Sequence, residues 1–105
     1  RGESSDDVRI RITSARALQK IRFENHSRSI TTNNEMRADD VEKFIILTPT
    51  LRTLFNSSAE KLKLSPRAYH KVLKVARTIA DLGQSSEIQQ AHILEALAYR
   101  PTDLR

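Results

Sequence analysis

A chain of 105 residues with only two glycines, Gly2 and Gly83, has few ways to turn a strand back on itself. Tight β-hairpins need residues with positive φ, and one internal glycine and the Asn33-Asn34 pair are all it offers them. The expectation is an all-α chain, a helical bundle of about four to five helices. The same scarcity removes the phosphate-cradling loops GxxxxGKS/T and GxGxxG, so the chain cannot hold a nucleotide's phosphates in that way. Its length suits one domain that buries roughly two-thirds of its unfolded surface. It has no cysteine, which excludes a disulfide scaffold and a thiolate metal site. No apolar run approaches the ~20 residues of a membrane span, so no membrane partner and a cytoplasmic location are expected. The chain opens on Arg1 and its one methionine is Met36, as expected for a piece of a larger protein.

Periodicity and capping residues divide the chain further. Ser4 and Asp7 have capping-box spacing, and Val8, Ile12, Ala15, Leu18 and Ile21 form an apolar stripe, so a helix is expected over 5–23. Residues 24–35 read as a polar loop. Met36, Val41, Phe44 and Ile45 mark a short helix over 38–46. Thr48-Pro49 is an N-cap followed by proline at the first helical position, predicting a third helix that ends near residue 63. Ser65-Pro66 repeats the signal, and Gly83 is placed to stop the helix it opens. Over 66–82, Tyr69, Val72, Leu73, Ala76, Ile79 and Ala80 share one arc, with Arg67, His70, Lys71, Lys74, Arg77 and Asp81 on the other side. A helix so apolar should pack against more than one neighbour. A last helix is expected over 90–99, ended by Pro101.

Little in the chain resembles catalytic machinery. No glycine-flanked serine elbow is present, and His26, His70 and His92 lack metal-ligand spacing, so no metal site is expected. His26 reads as a loop residue, His70 as part of a solvated face and His92 as a helix-surface residue. Asp6-Asp7 and Asp39-Asp40 fall at helix starts, where they complement the dipole. Charge is more informative. The net is +5, and Lys61, Lys63, Arg67, Lys71, Lys74 and Arg77 lie in a stretch, 61–80, without one acid. Such a run is ordinarily a solvated face. Arg67, however, follows Ser65 and Pro66 at a helix start, where free N–H groups and the dipole favour an anion and a guanidinium adds a phosphate fork. His70, Lys71, Lys74 and Arg77 are candidate contacts to an anion or to DNA.

These residues carry a family resemblance. The segment 64–82, opening Leu64-Ser65-Pro66-Arg67 and closing Ala76-Arg77-Thr78-Ile79-Ala80-Asp81-Leu82, closely resembles the C-terminal domain of magnesium-chelatase-related AAA+ ATPases, a bacterial group that includes a competence-associated helicase. Ala91-His92, Leu94-Glu95-Ala96-Leu97 and Tyr99-Arg100 look like that family's closing helix. Gly2-Glu3-Ser4-Ser5 looks like its exit from the ATPase core. The resemblance implies a lead-in helix and polar loop over 1–35 and a helical lid bundle over 36–105. It implies a lid that closes over Mg-ATP bound by an upstream core, with Arg67 as the sensor-2 arginine and Ser65 beside it at the nucleotide. The full-length protein would then be an ATPase, as a homo-hexameric ring, and this chain alone no enzyme. Two departures stand out: Gln89 occupies a position that usually has a short capping side chain, and Ser86 with Gln89 offers a capping box one turn earlier. The loop 25–35 matches no family pattern. The alternative from another class is a helix-turn-helix-like DNA-binding module presenting the basic helix 66–82; a helical interaction domain without a ligand is the third.

Overall fold

Hydroxyl caps and prolines set the helix starts. The computed structural model describes residues 4–100. Among these it has α1 (Ser5–Arg22), a 3₁₀ turn (Asn33–Glu35), α2 (Ala38–Phe44), α3 (Pro49–Leu62), α4 (Pro66–Leu82) and α5 (Gln90–Ala98), with no strand. Ser4 Oγ, Thr48 Oγ1 and Ser65 Oγ accept the backbone N–H three residues on, at 3.1, 3.2 and 3.1 Å. The all-helical expectation holds, and α4 has the expected bounds. The α2 helix stops two residues short because Ile45 is extended, at φ −110° and ψ 108°. Strand-like alternation then buries Ile45 and Leu47 and leaves Ile46 exposed. Without a hydroxyl at its N-cap, α5 still starts at Gln90: His92 Nδ1 reaches back to accept the Gln89 N–H at 2.9 Å.

Gly83 caps α4 as expected, but the left-handed turn comes one residue later. Gly83 has φ −87°, which any residue adopts, and the left-handed residue is Gln84, at φ 56°. Ser85 N–H reaches the Ala80 carbonyl at 2.8 Å and Gln84 N–H the Asp81 carbonyl at 3.0 Å, the paired bonds of a Schellman stop. Lys63, φ 56°, plays the same part after α3, with Leu64 N–H bonded to the Ala59 carbonyl.

The core forms around α4, against which α1, the 3₁₀ turn, α2 and α5 all pack. Val72, Leu73, Ala76 and Ala80 of α4 meet Val41, Ile45, Phe55, Ile93, Ala96 and Leu97 in one cluster. Phe23 and Ile30 belong to the same cluster, so the loop read as polar contributes to the core. The stripe on α1 does not behave as expected: of its residues only Ala15 is buried. Ala15 and Gln19, with Phe23 at its C-cap, make the inward face of α1. Leu18 and Ile21 point off it, and Val8 and Ile12 belong to an N-terminal half in which no residue is buried. No described helix is long and apolar enough to cross a membrane.

Candidate functional site

The start of α4 is built by its own sequence. Pro66 has no N–H to give, and Ser65 Oγ holds that of Ala68. The backbone donor left in the first turn is Arg67 N–H, fewer than a bare helix start would offer. The Arg67 side chain is exposed, with no hydrogen bond or ion pair to the described residues, while the next residue, Ala68, is buried. A free guanidinium thus stands on a helix start anchored from behind. Ser65 is first a cap, and its hydroxyl proton remains available. Beyond it, Phe55 packs on Tyr69 with ring centroids 4.7 Å apart, and Tyr69 Oη donates to Asn56 Oδ1 at 2.6 Å, fixing α4 against α3.

The other basic residues expected with Arg67 do not stay together as a free surface. His70 is half-buried, edge-on to Tyr69 at 5.7 Å. Lys71 Nζ donates to Asn34 Oδ1 at 2.9 Å, and Lys74 Nζ to the carbonyls of Asn34 and Met36 at 3.3 and 3.1 Å. Both lysines therefore hold the 3₁₀ turn, and Lys74 also Met36 just after it, against α4. Burial, and then the Lys71 charge, pulls the Lys74 pKa below its ordinary 10.5. Arg77 departs furthest from the solvated face assigned to it. It is buried, bonds the Ser85 and Ser86 carbonyls at 2.8 and 3.2 Å, and pairs with Asp81 at 3.2 Å. An arginine so engaged clamps the turn after α4.

Two buried polar clusters had no counterpart in the sequence reading. In the first, Arg22 grips Asp81 with two parallel bonds of 2.8 and 2.7 Å and also reaches Asn33 Oδ1 at 2.8 Å. Asn33 in turn donates to Thr78 and Asp81 and takes Gln19 Oε1 on its backbone N–H. This ties α1 and the 3₁₀ turn to the second half of α4. In the second, His26 Nε2 lies 2.7 Å from Asp40 Oδ1 while Arg28 and the Arg37 N–H bond Oδ2. His26 Nδ1 accepts the Arg28 N–H, so the neutral ring carries its proton on Nε2. Burial would raise the Asp40 pKa, but the Arg37 N–H, then His26 and Arg28, hold it below the usual carboxylate range. The Arg77 and Asp81 spacing, i and i+4, was the one local signal of either cluster. Among the described residues no group of three or more His, Cys, Asp or Glu side chains is placed to hold a metal ion.

The fold defines an all-helical module organised about one central helix that exposes an arginine at its start. Residues 2–100 match the family described as "Magnesium chelatase, subunit ChlI C-terminal", and the chain belongs to that family. It is 37% identical over 100 residues to competence protein ComM of Haemophilus influenzae, covering 95% of this chain and 18% of that protein. It is 35% identical over 102 residues to the uncharacterized protein YifB of Escherichia coli, and 32% over 103 residues to YifB of Salmonella typhimurium. These alignments take in 97% and 98% of this chain and 19% of each relative. The chain therefore spans about a fifth of the length of these relatives. No solved structure matches it.

Proposed function

We propose that the chain is the C-terminal helical lid of a magnesium-chelatase-like AAA+ ATPase and closes over ATP held by an upstream core. The observation that carries this reading is Arg67, exposed and uncommitted on the helix against which α1, the 3₁₀ turn, α2 and α5 pack. Its guanidinium and N–H are directed to the terminal phosphate, where they stabilise charge during hydrolysis and couple nucleotide state to lid position. Ser65 keeps that helix start in shape. These donors suit a phosphate and leave the Mg²⁺ of Mg-ATP to the core. The exposed Val8, Ile10 and Ile12 at the start of α1 support a lead-in segment that an adjoining domain covers. The whole protein would work in the cytoplasm as a homo-hexameric ring. In the full-length protein, Arg67→Ala should lower ATP turnover by about 10²-fold or more with unchanged circular dichroism. Unaltered turnover would overturn the assignment.

DNA binding by the basic run is the second reading, favoured by the exposed Lys61, Lys63, Arg67 and Lys71. A helix-turn-helix geometry is less well supported, because Lys74 and Arg77 are turned inward onto the chain's own carbonyls. Duplex retarded in a gel at low salt and released as salt rises would support it; no retardation would remove it.

A further inference from the structure

The cluster around Asp81 holds more positive charge than it neutralises. Arg22 and Arg77 both pair with this one carboxylate, at 2.7 and 3.2 Å, and their side chains are 18% and 7% exposed. Burying an excess charge is costly unless a counter-charge reaches it. Burial pushes the Arg77 pKa down; Asp81 opposes the shift and the Arg22 charge adds to it. Arg77 Nε, moreover, is buried without a hydrogen-bond partner among the described residues, where buried donors are normally satisfied.

Both arginines line one cavity of about 570 Å³, inside the ~300–1,000 Å³ range of ligand pockets. Its apolar wall includes Leu47 and Ile88, and Ile46 adds a side chain 76% exposed. Glu87 also lines it, exposed and in no ion pair among the described residues. The residues of the Arg67 helix start take no part. Charged donors beside an apolar wall suit an acid carried on an apolar segment better than a small free anion.

We propose that this cavity docks an acidic side chain of a partner polypeptide, its carboxylate paired with Arg22 and Arg77 and a flanking apolar residue set on Ile46, Leu47 and Ile88. With Asp81 already shared between them, the two guanidiniums leave a net positive charge that an incoming carboxylate offsets through charge-assisted hydrogen bonds. Glu87 weakens the interaction by repelling the incoming acid and so tunes which segments are accepted.

The test is an NMR titration of the ¹⁵N-labelled chain with acetyl-Leu-Glu-Leu-amide, its Leu-Gln-Leu counterpart and inorganic phosphate. The Glu peptide should move the Nε–H signals of Arg22 and Arg77 and the amides of 46–48 and 86–88. The Gln peptide should bind about five-fold or more weakly, since it loses the ionic part of the pairing. Two exposed-site variants keep the core intact: Glu87→Gln should tighten binding of the Glu peptide about two- to five-fold, and Ile46→Ser should weaken it. Absence of binding, equal affinity for the two peptides, or no response to Glu87→Gln would overturn the proposal. Phosphate producing the same shifts as the Glu peptide would make this a free-anion site and overturn it as well.

Discussion

Three donors converge on the Asp40 carboxylate: His26, Arg28 and the Arg37 N–H. Because its pKa in the fold lies below the ordinary 3.8, the stabilisation it brings is present above that value and is lost as pH falls through the lower, folded one. Acidification below about pH 4 should therefore weaken the fold, and Asp40→Asn should flatten that part of the decline. At pH 7 the same variant should be less stable by about 1–3 kcal/mol, since it leaves the donors of His26 and Arg28 underused. Urea unfolding at pH 7 and pH 3.5 checks both. A steeper acid decline in the variant would show that the carboxylate is not held as described. The sequence around Asp40 points only to dipole complementation at a helix start, and that around His26 only to a loop. Only the path of the chain through residues 24–37 brings the two together.

Helix ends show where local rules lose to neighbours. Gly83 carried the expected stop, yet Gln84 takes the left-handed position. Arg77 explains the offset, because its guanidinium holds the Ser85 and Ser86 carbonyls and so decides where the chain leaves α4. Gln84→Gly should raise stability by about 1 kcal/mol, by relieving a left-handed non-glycine residue. Gly83→Ala should raise it too, by about 0.4–1 kcal/mol, through lost freedom in the unfolded chain. An added Cβ there would meet only the Ala80 and Ile79 carbonyl oxygens, each at an ordinary 3.7 Å. Thermal melts of the two variants decide the matter: a large loss for Gly83→Ala would return the left-handed role to Gly83.

Across the molecule, one apolar cluster joins Phe23 and Ile30 to residues of α2, α3, α4 and α5. Unfolding should therefore not respect a boundary at residue 35 between the expected lead-in part and lid bundle. Phe23, only 1% exposed, should cost about 3–5 kcal/mol when replaced by alanine. The loss should appear in a single urea transition seen alike by circular dichroism and tyrosine fluorescence. Two separated transitions would mean that α1 unfolds by itself. The radius of gyration, 14.3 Å, is a little above the ~13 Å of a compact chain this long. That agrees with the exposed first half of α1.

Helix placement, the caps at Ser4, Thr48 and Ser65, and the exposure of Arg67 at the start of α4 were legible because each depends on residues within one turn of one another. Proline geometry, hydroxyl capping and periodicity act at that range. The tertiary structure decided which face of α1 turns inward and which cations are committed. Arg22 meets Asp81 across 59 residues, Lys71 meets Asn34 across 37 and His26 meets Asp40 across 14. A buried charge is tolerated only where such a partner arrives, and no period or spacing along the chain records its arrival. Charge composition could count the cations of α4; only packing could separate the one exposed and unbonded at its start from those bonded within the fold.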